Sequence, residues 1–215
     1  MPHNTTSAQE APFIVIEGLD GAGGTTQCRL LQSWLERHGH SVLSTNEPTG
    51  QPVGTFIRSV LQDPHSKVGD EVLAYLFAAD RQDHLTRTIL PALSSDTVVI
   101  SDRYYHSSLA YQSLSLDFDF VAQLNAPFRS PDITIFLLLE PETSFARVQE
   151  RGLPLERFET LDRLRSIASS YNQVIDYCQR RGEHIVCLDA TQSIEEIHDR
   201  ICTEVSLLIN LTQGL

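Results

Sequence analysis

Glycines 18, 21, 23 and 24, followed by Thr25 and Thr26, form the stretch best equipped for chemistry: Glu17-Gly18-Leu19-Asp20-Gly21-Ala22-Gly23-Gly24-Thr25-Thr26-Gln27. It follows the apolar run Phe13-Ile14-Val15-Ile16. A strand feeding a glycine-rich turn that opens a helix lets successive backbone N–H groups converge on an anion, helped by the positive end of the helix dipole. The spacing predicts a phosphate cradle. Against the P-loop pattern G-x-x-x-x-G-K-[ST], Gly18, Gly23 and Thr25 fall into register and Gly24 occupies the lysine position. Thr25 keeps the hydroxyl that serves Mg²⁺, while the point charge that follows the β- and γ-phosphate oxygens is missing. The competing reading is a glycine-rich turn with no ligand.

The elements that must position these residues are legible as a pattern. Apolar runs of strand length recur at 41–45, 97–101, 133–139 and 185–189. Segments of helical periodicity separate them, at 25–38, 71–90, 161–181 and 193–211. Near-continuously apolar strands alternating with helices predict an α/β fold: a parallel sheet covered on both faces, in three layers. Ligands of such sheets bind beyond the carboxyl ends of the strands. The chemically loaded residues do follow the strands: Asp20, then Glu47-Pro48, then Asp102-Arg103, then Asp189.

Each of these has two readings. The Glu47-Pro48 loop, with Arg58 just beyond it, is either a stiff wall of a site or a plain connection. Phe77 and Arg81, four apart on a helix, either stack on a base and clamp its phosphate or belong to the core. Asp102 is placed to serve Mg²⁺ and Arg103 to bridge phosphates, against a surface ion pair. His106 reads as a loop or surface histidine, because transfer to an already ionised phosphate needs no base. Arg147, Arg151, Arg157, Arg163 and Arg165, interrupted by Gly152 and Pro154, form either a lid over polyphosphate, at about 147–160, or a solvated helix face. Asp189-Ala190-Thr191-Gln192 precedes a capping box made by Ser193 and Glu196.

The 215 residues suit one domain, expected over 12–215 behind a disordered tail at 1–11. A formal net charge of -12 argues against a general nucleic-acid surface, so clustered arginines mark a site. Lys67 is the single lysine, so a cation substituting at the cradle would be an arginine. Cys28, Cys178, Cys187 and Cys202 contain no C-x-x-C pair and read as the reduced thiols of a cytoplasmic protein. No run is long enough to span a bilayer, so no membrane partner is expected.

The ordered set of motifs resembles the thymidylate (dTMP) kinases of the P-loop nucleoside monophosphate kinase class. It comprises Glu17 to Gly23, Glu47-Pro48, Leu76-Phe77-Ala78-Ala79-Asp80-Arg81, Asp102-Arg103-Tyr104, Ser107 with Ala110-Tyr111-Gln112, Pro131-Asp132, Arg151-Gly152, Arg157-Phe158-Glu159 and Asp189 to Gln192. The resemblance implies a five-stranded sheet, transfer of phosphate from ATP to dTMP giving dTDP, Mg²⁺ dependence and a homodimer. By position it implies that Gly18 to Thr26 hold ATP phosphates, with Leu19 and Ala22 inside that loop. Asp20 meets the sugar 3′-OH, Phe77 stacks on thymine, and Arg81 holds base or phosphate. Tyr111 crowds the 2′ position, and Ser107, Ser108 and Gln112 line the acceptor pocket with Glu47, Pro48 and Arg58. Arg103 bridges the phosphates, Asp102 and Thr25 serve the metal, and Arg151 and Arg157 are the catalytic lid candidates. Asn46 stands where many members have an arginine, and Gly24 where they have lysine. Either an arginine compensates, or turnover is slow or absent, or the glycine is an introduced substitution. Two rivals remain: a nucleotide-binding regulator without turnover, and a kinase for another nucleoside or nucleotide.

Overall fold

Five parallel strands form one sheet in the order β2 (Ser41–Asn46), β3 (Thr97–Asp102), β1 (Phe13–Gly18), β4 (Ile133–Leu138) and β5 (Ile185–Asp189). This computed structural model describes residues 11–152 and 156–213. Residues 1–10 of the expected tail and Pro154 of the expected lid lie outside them. Ala11 is buried, its N–H 3.4 Å from the Leu93 carbonyl.

The central strand shows why the apolar run is unbroken. Phe13 and Val15 enter one core with Tyr104, Phe136 and Ile167, whereas Ile14 and Ile16 enter the other with Leu31, Leu35 and Ile201. Alternation along a strand sends neighbours to opposite faces, and here both faces are covered. Each of these four side chains is fully buried, which contributes about 2 kcal/mol apiece. Helices α1 (Gly24–Arg37) and α9 (Ile194–Gln213) cover the Ile14 face. The Phe13 face is covered by α4 (Leu90–Ser94), α5 (Tyr105–Gln112) and α8 (Leu161–Arg180). Around the rim of the site lie α2 (Pro52–Gln62), α3 (Asp70–His84), α6 (Phe118–Asn125) and α7 (Pro141–Glu150).

The structure departs from the periodicity in places, each with a cause. The helix expected over 71–90 ends at His84 and passes through one π turn, Leu85–Ile89, into α4. Pro91 lies in the first turn of α4, where its ring and missing N–H disrupt a regular i→i−4 ladder. The Glu47-Pro48 loop ends at Pro52, which opens α2 because its fixed φ suits a first helical position. The capping box of α9 is present: Glu196 N–H donates to Ser193 Oγ at 3.2 Å, and Ser193 N–H to Glu196 Oε2 at 3.0 Å. His106 is a correction. It lies on α5 with its side chain fully buried, facing the sheet rather than solvent.

Candidate functional site

The cradle begins where β1 meets α1. No side chain caps α1 and no acidic residue sits in its first turn, so its leading N–H groups are left for an external acceptor. Gly21 has φ 81° and packs so tightly on α7 that a Cβ would meet Arg147 Cβ and the Ser144 carbonyl at 3.1 Å. Only glycine allows both. From α7, Ser144 Oγ donates to the Asp20 carbonyl at 2.6 Å, and Arg147 spans the Gly21 and Ala190 carbonyls at 3.1 and 3.3 Å. The loop is therefore held from outside by its carbonyls, and within it the Ala22 N–H donates to the Leu19 carbonyl at 3.0 Å.

Thr25 and Asp102 meet as expected, the Thr25 hydroxyl donating to Asp102 Oδ2 at 2.5 Å. A hydroxyl and a carboxylate at the ends of adjacent elements are hard oxygen donors and suit Mg²⁺, which takes few protein ligands and keeps water. A Cβ on Gly24 would lie 3.0 Å from Asp102 Oδ1, the tip of a flexible side chain. The carboxylate thus closes in on the space beside Gly24.

Arg103 follows Asp102 in a left-handed conformation, φ 71°, unusual for a residue with a Cβ and typical of sites where function fixes the backbone. Its guanidinium donates to Asp20 Oδ1 at 2.7 Å, Ser107 Oγ at 3.0 Å and Tyr171 OH at 3.2 Å, and lies over the Tyr111 ring. Burial opposes its charge, but Tyr111, Asp20, Tyr171 and Glu17 outweigh that and hold its pKa above the ordinary guanidinium value. Beneath it, the buried carboxylate of Glu17 accepts from the Tyr104 and Ser107 N–H groups, from Ser107 Oγ at 2.7 Å and from Tyr171 OH at 3.0 Å. Glu17 locks the entry of α5 to the central strand.

Next to the cradle is a cavity of about 530 Å³ that includes Phe77, Arg81, Arg103, Ser108, Tyr111 and Gln112 in its wall. Glu47, Pro48 and Arg58 also line it. Arg81 is 1% exposed and uses its fork fully: Nη1 donates to Asn125 Oδ1 at 2.5 Å, Nη2 to Ser108 Oγ at 3.0 Å, and Nη2 lies 2.8 Å from Glu47 Oε2. The rings of Tyr104 and Phe128 flank it. His84, one turn further along α3, bonds Glu47 Oε1 at 3.0 Å and Thr45 Oγ1 at 2.7 Å. Asp80 binds the N–H and hydroxyl of Thr49 at 2.7 and 2.6 Å, which fixes the loop carrying Glu47 and Pro48. The Pro48 carbonyl accepts from Arg58 and from Asn46 Nδ2. Tyr111 OH, Gln112 Oε1 and Arg81 Nε are buried without a protein partner, and the three residues share the cavity wall, as befits a site that completes its hydrogen bonds on a polar ligand.

The expected residues thus converge, with one exception. Gly18 through Thr26, Arg103 and Arg151 surround the cradle, in a second cavity of about 350 Å³ that Asp102 and Arg147 also line. Arg157 points elsewhere: it bonds the Val68 carbonyl at 3.0 Å and Asp70 Oδ1 at 2.8 Å, tying the chain to the entry of α3. Arg165 pairs with Glu142 and Asp162 on an exposed helix face, the alternative reading of that segment. The residues to which sequence reasoning gave no role in the site are Glu17, Asp80, His84 and Asn125, while Arg147, read as a lid arginine, instead holds the cradle's carbonyls. Two signals could have found some of them. A carboxylate at the end of a buried apolar run needs partners, and His84 follows Asp80 by four and Arg81 by three, spacings that set helical side chains side by side.

The model of the family described as thymidylate kinase matches residues 16–201. A protein of Pyrococcus horikoshii called "Probable thymidylate kinase" is 40% identical over 194 residues, 88% of this chain and 93% of its own length. A "Thymidylate kinase" of Halothermothrix orenii is 37% identical over 203 residues, covering 90% of this chain and 95% of the relative. A "Probable thymidylate kinase" of Thermococcus kodakarensis is 35% identical over 205 residues, 92% and 98% of the two chains. With a glycine cradle, a buried arginine clamp and matches that run nearly end to end, this chain belongs to the thymidylate kinase family.

Proposed function

We propose that this chain is a kinase that transfers the γ-phosphoryl group of ATP to dTMP, giving dTDP and ADP. The observation that carries the reading is the junction at Arg103, which reaches Asp20 of the cradle while standing over Tyr111 of the neighbouring cavity. A guanidinium there touches both phosphate chains. Catalysis then rests on positioning and charge stabilisation, with no need for an acid or base. Amides of Gly21 and of Gly23 to Thr25 hold the donor phosphates. Phe77 covers the thymine ring, Arg81, its terminal nitrogens held by Asn125 and Ser108, offers its unpartnered Nε–H to base or phosphate, and Gln112 and Ser108 complete polar contacts. Tyr111 closes the space beside C2′, which favours deoxyribose. Arg151, on the open rim, brings a charge toward the transferring group.

Thr25 and Asp102 would hold Mg²⁺, which supplies neutralisation of charge on the β- and γ-phosphate oxygens. Phe56, Val72 and Tyr75, each at least half exposed on α2 and α3, support a homodimer through that face. No helix among the described residues is long and apolar enough to cross a membrane, in keeping with a cytoplasmic enzyme.

The test is product analysis with ATP, Mg²⁺ and dTMP, beside dUMP, dCMP and thymidine as competing acceptors. We expect dTDP, with dTMP the preferred acceptor. Preference for another acceptor overturns the substrate assignment. Gly24 favours one second reading, a nucleotide-binding regulator: tight binding of ATP and dTMP without dTDP would establish it.

A further inference from the structure

Between α5 and the end of α8, three side chains of different chemistry meet: His106 on α5, Cys178 on α8 and Glu183 on the turn that follows α8. One ligand atom from each lies within 4.8 Å of the other two. His106 and Cys178 are fully buried and the Glu183 side chain is 8% exposed. We propose that this cluster is a binding site for a borderline-soft divalent cation, Zn²⁺ being the best fit, that clamps α5 to the end of α8. The site is independent of the phosphotransfer reading.

Four observations support it. First, imidazole, thiolate and carboxylate are each ligands of Zn²⁺, and three protein ligands of these kinds leave a fourth position for water or a nearby oxygen. Tetrahedral bonds of about 2.0–2.3 Å place ligand atoms roughly 3.3–3.8 Å apart, a triangle that fits inside the observed limit. Second, the carboxylate is oriented from outside: Tyr105 OH donates to Glu183 Oε2 at 2.7 Å.

Third, the imidazole is oriented for the task. It stacks on the Tyr105 ring at 4.2 Å and meets the edge of Phe136, and its Nε2 lies 3.2 Å from Glu183 Oε2. Its Nδ1 is buried without a hydrogen-bond partner, 3.9 Å from Glu17 Oε1. A cation on Nε2 fixes the proton on Nδ1, which then faces a carboxylate, the usual outer partner of a ligating histidine. Fourth, the charges close: a thiolate and a carboxylate neutralise one divalent ion, so the buried assembly carries no net charge. The competing arrangement is a metal-free cluster in which Nε2–H donates to Glu183 and the thiol keeps its proton.

Chelator-treated protein is titrated with Co²⁺ and then Zn²⁺, reading the thiolate-to-cobalt charge-transfer band in the near ultraviolet, and zinc per chain after gel filtration. We expect the band, its loss on adding Zn²⁺, one zinc per chain and a rise in melting temperature. Cys178→Ala should abolish the band and His106→Ala should weaken zinc binding by at least about 100-fold. Cys187→Ala, at the exposed thiol, should change neither. If a core variant fails to fold, Glu183→Gln on the turn and the wild-type spectrum still decide. Absence of the band in wild type, a stoichiometry well below one, or a band that survives in Cys178→Ala each overturn the proposal.

Discussion

The acceptor cavity and the phosphate cradle adjoin at Arg103, yet they are built on opposite plans. In the cavity the charges are sunk into the protein: Arg81, Glu47 and His84 are almost inaccessible and bound to one another. In the cradle the charge-bearing side chains stand at the rim, Arg151 being 45% exposed and paired with Glu159, while the loop itself offers backbone. A buried fork is oriented when the chain folds, so the acceptor meets a finished surface. The donor end instead completes itself with a half-exposed cation whose partner, Glu159, is buried, so drawing it inward must break that pair. Gly24 sharpens the contrast, since it brings no cationic side chain to the position where the P-loop pattern has lysine.

The most severe way to break this contrast is Arg81→Ala. Leaving Glu47 buried without its cation should cost about 3–5 kcal/mol of stability. The loss of charge-assisted bonds should also lower kcat/KM for dTMP by about 10³-fold. Thermal melts and initial rates check both, and full stability would mean the network is not set at folding. Next is Arg151→Ala, expected to lower kcat by about 10²-fold with dTMP affinity unchanged, whereas Arg157→Ala should alter kcat by no more than a few-fold. Equal losses would erase the distinction between the two lid arginines.

Gly24→Lys tests the cradle directly. Asp102 must yield by a few tenths of an ångström, and we expect kcat to rise about 10-fold. A fall in turnover would show that the loop is fitted to another cation. On the cavity side, His84→Gln removes a buried bond to Glu47 worth about 1 kcal/mol and should raise KM for dTMP up to about 10-fold at nearly constant kcat.

The smallest effect belongs to Tyr104→Phe. The Tyr104 hydroxyl is buried without a partner, so its removal should change stability by less than about 1 kcal/mol at neutral pH. Burial, reinforced by Glu47, pushes the phenol upward from its ordinary value of 10.0. A folded-state value above the unfolded one means this contribution is complete below pH 10 and is lost as pH rises beyond it. Tyr104→Phe should therefore unfold less readily in alkali, as circular dichroism against pH would reveal.

The difference in plan also explains what was legible in the sequence. Strands, the glycine loop and the residues after each strand could be read because apolar runs and turn chemistry are local. Asp102 could be placed because it ends a strand. The network around Arg81 could be read only in part, since its members come from β2, α3, α5 and α6 and no spacing joins Glu47 to Asn125. Arg157 shows the limit most plainly: composition put it among the lid arginines, but Asp70, 87 residues earlier, claims it. His106 failed for the same reason, as a histidine inside a hydroxyl-rich run gives no sign of facing a sheet.

Ser144 and Arg147 grip carbonyls at Asp20, Gly21 and Ala190, and this grip makes α7 and the cradle a single rigid piece. Arg151 caps that piece, its N–H bonded to the Val148 carbonyl at 3.2 Å, so its guanidinium reaches inward through side-chain torsions alone. The nucleotide's resting place then stays still while one side chain moves, so speed of turnover and firmness of grip can be tuned separately.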